Sequence, residues 1–312
     1  MSVAVSEEQY AQVPATGAGS AYESLSLCYQ TFGDPADEAL LLIMGLGGPM
    51  TWWDPDFCTM LAERGFFVIR YDNRDIGRST RLSGPVSLPM LVQAFLGRPT
   101  PAPYSISDMA ADAVGILDHL GIESAHVTGV SMGGMIAQTI AIEHAKRVRS
   151  LVSIMSTTGN RLVGWQHPKI FPTLLQPAGD KEAYLKASEN VLSRIASSDY
   201  PMAPDYNRNR AEVTWERGVN PAGVGRQMLA IITQPDRTKA LGALTMPVAV
   251  IHGLSDVMVN VSGGRATSRA IPGSELLLIK GMGHDIPRTL WPTFVSVIRR
   301  TASRANATAP AA

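Results

Sequence analysis

A serine between two glycines is the residue best placed in the sequence to act as a nucleophile. Ser131 lies in the segment GVSMG, between an apolar run typical of a buried strand and a run typical of a helix. A turn this tight leaves little room for side chains two residues from the serine, so the G-x-S-x-G spacing suits it. The turn exposes the hydroxyl and directs the helix N-terminus towards a substrate oxygen. The spacing therefore predicts nucleophilic catalysis by Ser131.

A nucleophilic serine needs a base that can reach its hydroxyl from a loop. The sequence contains six histidines, and five of them lie in predicted helices or strands or in a long insertion: His119, His126, His144, His167 and His252. His284 lies instead in IKGMGHDIP, a glycine-flanked loop after the last predicted strand. Because a loop at that position can extend over the sheet to Ser131, we predict His284 as the base.

The base needs a carboxylate that fixes its tautomer and stabilises its cation. Asp256 follows a buried strand that ends near His252, and it completes the chain order Ser, Asp, His that is expected of this arrangement. Asp285 adjoins His284, but adjacent side chains on a loop usually diverge. We therefore predict Asp256 as the acid and expect Asp285 to be solvated or to make hydrogen bonds within its loop.

Two backbone N–H groups are needed to stabilise the oxyanion of the transition state. Met132, which follows the nucleophile, is the first predicted donor. The glycine-rich loop MGLGG that ends at Gly48 follows an early buried strand, and its glycines allow close approach of a ligand. We predict Leu46 in this loop as the second donor. The polar stretch YDNRDIGRST, residues 71–80, is interpreted as an internally hydrogen-bonded loop that positions this oxyanion segment.

The elements around these residues alternate between strands and helices, which predicts a mostly parallel central sheet with helices on both faces, an α/β fold. The predicted strands are Leu25–Phe32, Ala39–Met44, Phe66–Tyr71, Ala125–Gly129, Leu151–Met155, Val248–Ile251 and Leu276–Ile279. Helices are predicted at residues 57–64, 132–145 and 291–300, and a further helix is opened by a capping box at residues 105–108 and runs to Gly121.

Two stretches interrupt this alternation. Residues 159–241 have helical patterns and no clear strand, and they predict a helical cap over Ser131. Residues 88–96 are apolar on too many sides for a solvated loop, and we expect Leu88, Leu91, Phe95 and Leu96 to pack against the cap or a second subunit. The alternative is that this segment fills a side groove of the core. The resulting division is given by five ranges: a disordered N-terminus at 1–20, core at 21–158, cap at 159–241, core at 242–301 and a disordered tail at 302–312.

Composition excludes several classes of protein. The 27 basic and 27 acidic residues give zero formal net charge, so no global field attracts nucleic acid. The longest apolar run, Ala39–Met44, is too short to span a membrane. No basic residue precedes Arg64, which is unlike a secretory signal or a transit peptide, and two cysteines do not make a disulfide framework. We expect a cytoplasmic protein.

The motifs LLIMGLGG, VIRYDNRDIGRST, HVTGVSMGGMIAQ and GMGHDIP together resemble the α/β-hydrolase superfamily over residues 22–300. Within it they look most like the aclacinomycin methylesterase group of bacterial hydrolases, which removes a methyl ester from a polycyclic polyketide. The resemblance implies the α/β-hydrolase fold with a helical cap, Ser131, Asp256 and His284 as the triad, and Leu46 and Met132 as oxyanion donors. The more usual His-Gly before the oxyanion residue is Met-Gly here.

We therefore expect a serine esterase that forms an acyl-enzyme with a small-molecule ester, without a cofactor or a metal. The same triad would also serve a cofactor-free perhydrolase or haloperoxidase-like enzyme, or a hydrolase of carbon–carbon bonds. A non-enzymatic binding protein of this fold is a further alternative, although that class normally lacks a triad member. A homodimer stays open, since a second subunit is one of the two surfaces predicted to cover residues 88–96.

Overall fold

A central sheet of eight strands organises the computed structural model, which describes residues 3–17, 22–167 and 179–308. In chain order the strands are β1 Gln9–Pro14, β2 Ser24–Phe32, β3 Glu38–Ile43, β4 Phe66–Tyr71, β5 Ala125–Val130, β6 Val148–Ile154, β7 Val248–Gly253 and β8 Glu275–Ile279. The spatial order is β1-β2-β4-β3-β5-β6-β7-β8. The β1–β2 and β2–β4 pairs are antiparallel, and all pairs from β4 to β8 are parallel.

Helices lie on both faces of this sheet, which confirms the predicted fold class. They are α1 Pro55–Ala62, α2 Leu88–Phe95, α3 Ile106–His119, α4 Met132–Glu143, α5 Lys181–Ile195, α6 Tyr206–Arg217, α7 Pro221–Thr233, α8 Thr238–Leu241, α9 Ser262–Ala270 and α10 Trp291–Thr308. Alternate residues of β3 point to opposite faces: Leu41 and Ile43 pack with α3 and α4, whereas Leu40 and Leu42 pack with α1 and α10. Every side chain of this strand after Glu38 is therefore buried.

Both chain ends carry more regular structure than the sequence indicates. The expectation that residues 1–20 are disordered is wrong for β1, which pairs along its whole length with β2 and buries Ala11 and Val13. The expectation that the tail from residue 302 is disordered is wrong for residues 302–308, because α10 continues to Thr308 and buries Ala302. Both segments are rich in alanine and polar residues, so their hydrophobic periodicity is weak.

A group of helices stands between β6 and β7, at the position of the predicted cap. Helices α5, α6, α7 and α8 fall within this connection, and the described part of it contains no strand. Residues 168–178 of the predicted cap lie outside the described residues. Helix α2 contacts α7 of the cap, but Leu88, Phe95 and Leu96, three of the four side chains expected to pack there, remain largely exposed.

Candidate active site

The turn between β5 and α4 holds Ser131 in a backbone conformation that side chains rarely adopt. Its φ and ψ are 57° and −118°, and its N–H donates to the carbonyl of Ile154 at 2.9 Å. A Cβ added at Gly129 would lie 2.0 Å from the carbonyl oxygen of Gly133. One added at Gly133 would lie 2.1 Å from the carbonyl oxygen of Ile43. Both flanking glycines are therefore required by the close approach of the backbone at this turn.

The structure brings together three side chains that are separated widely in the sequence. Nε2 of His284 lies 3.0 Å from Oγ of Ser131, and Nδ1 of His284 lies 2.7 Å from Oδ2 of Asp256. An ionised carboxylate can only accept, so Nδ1 carries the proton in this arrangement. Nε2 is then left as the acceptor for the hydroxyl proton of Ser131.

Asp256 is buried, with 5% of its surface exposed, and its carboxylate is well supplied with donors. Oδ1 accepts from the backbone N–H groups of Met258 at 2.9 Å and Val259 at 2.8 Å. Burial alone would raise the pKa of Asp256, but the neighbouring His284 and His252 outweigh it and lower the pKa to about 2. The carboxylate therefore stays ionised where it faces His284.

His252 supports the loop that surrounds Asp256. Its Nε2 lies 2.8 Å from the carbonyl oxygen of Val259, which can only accept, so Nε2 carries a proton. The same nitrogen is 3.5 Å from Oδ2 of Asp256. His252 therefore makes its hydrogen bonds within this loop and does not face Ser131.

The loop that carries His284 is fixed by the end of α5. The backbone N–H of His284 donates to the carbonyl of Ile195 at 2.7 Å, and that of Gly283 donates to Oγ of Ser197 at 2.9 Å. Oδ1 of Asp285 accepts from both the hydroxyl and the backbone N–H of Ser197, at 2.5 and 3.1 Å. Asp285 is therefore a hydrogen-bonding residue, but its partner lies in the segment after α5 and not in its own loop, which corrects that part of the expectation. Burial raises its pKa, against the lowering effect of these hydrogen bonds.

The predicted oxyanion loop lies against Ser131. A Cβ added at Gly45 would be 3.1 Å from Cβ of Ser131, which places the backbone before Leu46 beside this serine. The N–H of Met132, in the first turn of α4, has no partner within the helix. Among the described residues, neither this N–H nor that of Leu46 donates to a protein acceptor. Both groups are thus free to donate to a substrate.

Three side chains hold the oxyanion loop from outside. Nδ2 of Asn73 donates to the carbonyl of Met44 at 3.0 Å, and Oδ1 of Asp72 accepts from the N–H of Met50 at 2.7 Å. From the cap, Oε1 of Gln227 accepts from the N–H of Gly47 at 3.0 Å. The interpretation of residues 71–80 as a loop that positions the oxyanion segment is confirmed by the first two contacts.

Sequence reasoning missed two ion pairs that join the loop at residues 71–80 to the cap. Arg217 of α6 pairs with Asp72 at 2.5 Å, and Arg226 of α7 makes two hydrogen bonds to Asp75 at 2.6 and 2.8 Å. All four side chains are buried. The partners lie about 150 residues apart in the chain, so no local signal relates them.

A cavity of about 1230 Å³ lies between the oxyanion loop, the cap and α2. Leu46 and Met135, one helical turn beyond Ser131, belong to its lining. Most of the wall is apolar: α2 contributes four residues, Leu88, Leu91, Val92 and Phe95, and Leu96 follows directly after the helix. Phe95 and Leu96 remain 64% and 63% exposed, so their contact with the cap is incomplete. The cap and α2 thus form a large apolar chamber next to the serine.

No residue set suited to a metal was found in the described part of the chain: it has no group of three His, Cys, Asp or Glu side chains arranged as ligands. Within the same part, no helix is long and apolar enough to cross a membrane.

The strand order, the turn at Ser131 and the three facing side chains define a hydrolase of the α/β class. The chain belongs to the α/β-hydrolase fold family, whose model matches residues 38–287.

This chain is similar to several known proteins over most of its length. The chain is 28% identical to rhodomycin D methylesterase DauP of Streptomyces sp. (strain C5), over 85% of this chain and 91% of that protein. It is 31% identical to RutD of Caulobacter segnis, to which carbamate hydrolysis is attributed, over 86% of this chain and 93% of RutD. The enol-lactonase of Burkholderia xenovorans LB400 shares the fold, with a TM-score of 0.69 at 21% identity, covering 89% of this chain and 97% of that structure.

Proposed function

We propose that this protein is a serine esterase in which Ser131 is the nucleophile, His284 the base and Asp256 the acid. The observation that carries the proposal is the continuous line of contacts from Oγ of Ser131 through the imidazole to the buried carboxylate, at 3.0 and 2.7 Å. Because the pKa of Asp256 is low, its carboxylate stays ionised and the proton between the two residues stays on Nδ1 of His284.

In the first half of the proposed reaction, Oγ of Ser131 attacks the ester carbonyl while Nε2 of His284 accepts its proton. The negative charge that forms on the carbonyl oxygen is stabilised by the N–H groups of Leu46 and Met132. His284 then gives its proton to the leaving alcohol, and an acyl-enzyme remains on Ser131. In the second half, water attacks with the same base and the carboxylic acid is released.

We propose a bulky, apolar ester as the substrate, and a methyl ester as its reactive bond. The apolar cavity beside Leu46 has room for several fused rings, since drug-sized ligands occupy sites of roughly 300–1,000 Å³. The Streptomyces relative is named for the hydrolysis of a methyl ester, and its similarity covers 85% of this chain. The apolar wall would exclude most water from the bound ester, which strengthens the electrostatic contacts at Ser131.

A panel of methyl esters of increasing ring number tests this proposal, with methyl acetate as the short reference and Ser131→Ala as the inactive variant. We expect kcat/KM to rise with ring number and activity to disappear in Ser131→Ala. Triad losses reduce turnover on the order of 10⁶. A preference for the short acetate would contradict the substrate class.

The alternatives are separated in the same assays. Peroxide added to the reaction detects a perhydrolase or haloperoxidase-like activity, and a vinylogous diketone detects a carbon–carbon hydrolase. A binding protein without activity would turn over none of these substrates.

The cytoplasmic location stays a proposal, supported by the two free, buried thiols of Cys28 and Cys58. The homodimer stays a prediction, which light scattering on the purified protein tests.

A further inference from the structure

Arg210 on α6 lines the cavity and has no ion-pair partner among the described residues. Its guanidinium lies over the ring of Trp52, 4.5 Å from the ring centre, and Nε is buried without a hydrogen-bond acceptor. No acidic side chain among the described residues forms an ion pair with Arg210. The remaining residues, 1–2, 18–21, 168–178 and 309–312, include no Asp or Glu. Arg210 is thus a partly buried cation that makes no direct ion pair with a described carboxylate, although the charge of Asp285 favours its protonated form from a distance.

Neighbouring arginines of the cap are paired. Arg208, two residues earlier on the same helix, contacts three carboxylates: Glu182, Glu189 and Glu212. Arg217 and Arg226 form the buried ion pairs with the core that are described above. Burying a charge without a partner costs free energy, and burial lowers the pKa of Arg210. Arg210 therefore lacks the direct carboxylate partner that Arg208, Arg217 and Arg226 have.

The surroundings of Arg210 suit an aromatic ligand with a negative charge. The described cavity lining contains no acidic residue. Its other described cation, Arg161, donates to the carbonyl oxygens of Ala94, Phe95 and Ile232, so its charge is directed towards the backbone. The aromatic side chains of Tyr184 and Trp215 lie in the same wall, with ring centres 5.4 Å apart.

The position of Arg210 also relates it to the reacting bond. Trp52, on which it stacks, packs against the oxyanion loop: a Cβ added at Gly48 would lie 2.6 Å from the indole. The indole N–H donates to Oγ1 of Thr214 at 2.9 Å, one turn after Arg210 on α6. A group held by Arg210 would therefore lie beside the loop that positions the ester carbonyl, in the same cavity.

We propose that Arg210 binds a carboxylate on the aromatic part of the substrate, so that the preferred ester is an aromatic acid with a second, free carboxyl group. A guanidinium presents donors in a planar fork that matches a carboxylate, and such charge-assisted bonds are the strong ones. This inference rests on the proposed esterase function for its placement of the ester at Ser131. The binding of the carboxylate itself does not require turnover.

Binding to the full-length Ser131→Ala protein tests the inference without hydrolysis. The probes are 2-naphthoate and its neutral counterpart 2-naphthamide, measured by titration calorimetry. We expect naphthoate to bind more tightly than the amide, and Arg210→Gln to reduce that preference by about 10- to 100-fold. The matched control is Arg208→Gln, on the same helix but paired with surface acids, which should leave the preference unchanged. Melting temperatures verify that each variant is folded.

Equal binding of the two probes, or a preference that survives Arg210→Gln, would overturn the inference. A second arm compares hydrolysis of the monomethyl and dimethyl esters of naphthalene-2,6-dicarboxylic acid. Arg210→Gln should lower the ratio of kcat/KM for the anionic over the neutral ester, mainly through KM. Failure to hydrolyse either ester contradicts the proposed function alone, because the calorimetry still decides whether Arg210 holds a carboxylate.

Discussion

Replacing Asp256 by asparagine tests how the protein controls the proton on His284. Asparagine has nearly the same shape, and its oxygen can still accept from the N–H groups of Met258 and Val259. Its NH₂ group then faces Nδ1 of His284, where the carboxylate accepts at 2.7 Å. Nδ1 must become the acceptor, so the proton moves to Nε2. The nitrogen that faces Ser131 at 3.0 Å can then no longer accept the hydroxyl proton.

The expected loss follows from this exchange of tautomers. An aspartate-to-asparagine change of this kind lowers kcat by roughly 10⁴ in a serine protease, which corresponds to about 5.4 kcal/mol of transition-state stabilisation. The assay is steady-state hydrolysis of a p-nitrophenyl ester, which reports kcat and KM separately. We expect kcat to fall and KM to change little, because Asp256 acts through His284.

Asp285→Asn is the matched control. Asp285 adjoins His284 in sequence, but its carboxylate accepts from Ser197 on the cap side of the loop. We expect a loss of less than about tenfold, since an amide oxygen can keep one of these contacts. A larger loss in Asp285→Asn than in Asp256→Asn would refute the assignment of the acid, as would near-normal turnover in Asp256→Asn with the fold intact.

Three further predictions concern the surroundings of the site. The pKa of Asp256 is about 2 when folded and near 3.8 when unfolded, so it stabilises the fold above about pH 4, and this stabilisation is lost as the pH falls towards 2. Between pH 4 and pH 2, the unfolding free energy measured in urea should fall by about 2 kcal/mol less for Asp256→Asn than for wild type, and equal falls in the two proteins would contradict this prediction. Gln227→Leu removes the acceptor for Gly47 and should lower kcat/KM about tenfold, measured with the same ester; an unchanged value would show that the oxyanion loop does not need this contact. Arg226→Met leaves Asp75 without its charged partner and should cost about 3 kcal/mol of unfolding free energy, which a loss below about 1 kcal/mol would contradict.

The meeting of Ser131, His284 and Asp256 could be predicted because short local patterns specify each of them. The glycines around Ser131 are dictated by a turn that a Cβ would obstruct, and His284 stands out as the histidine on a glycine-flanked loop after a strand. Asp256 is identified by its distance from the end of β7. Strand and helix periodicity gives the parallel part of the sheet for the same reason, since each element carries its own signal.

Contacts between distant segments could not be predicted in this way. Ser197, which holds the histidine loop, lies in an ordinary polar stretch after α5, and its role depends on how the cap folds back over the core. The pairing of Arg226 with Asp75 has the same origin. Strand β1 was missed because its Ala and Gln residues give little hydrophobic contrast, and pairing with β2 supplies the stabilisation instead.

The central claim is that Ser131 forms a covalent acyl intermediate, and trapping that intermediate tests it most directly. The protein is mixed with p-nitrophenyl acetate, quenched in acid within the first turnover, digested and examined by mass spectrometry. The account predicts an acetyl group on the peptide that contains Ser131, and no such group in the Ser131→Ala protein. An acetyl group on a different residue that accompanies turnover, or turnover in Ser131→Ala above about one-thousandth of the wild-type rate, would contradict it.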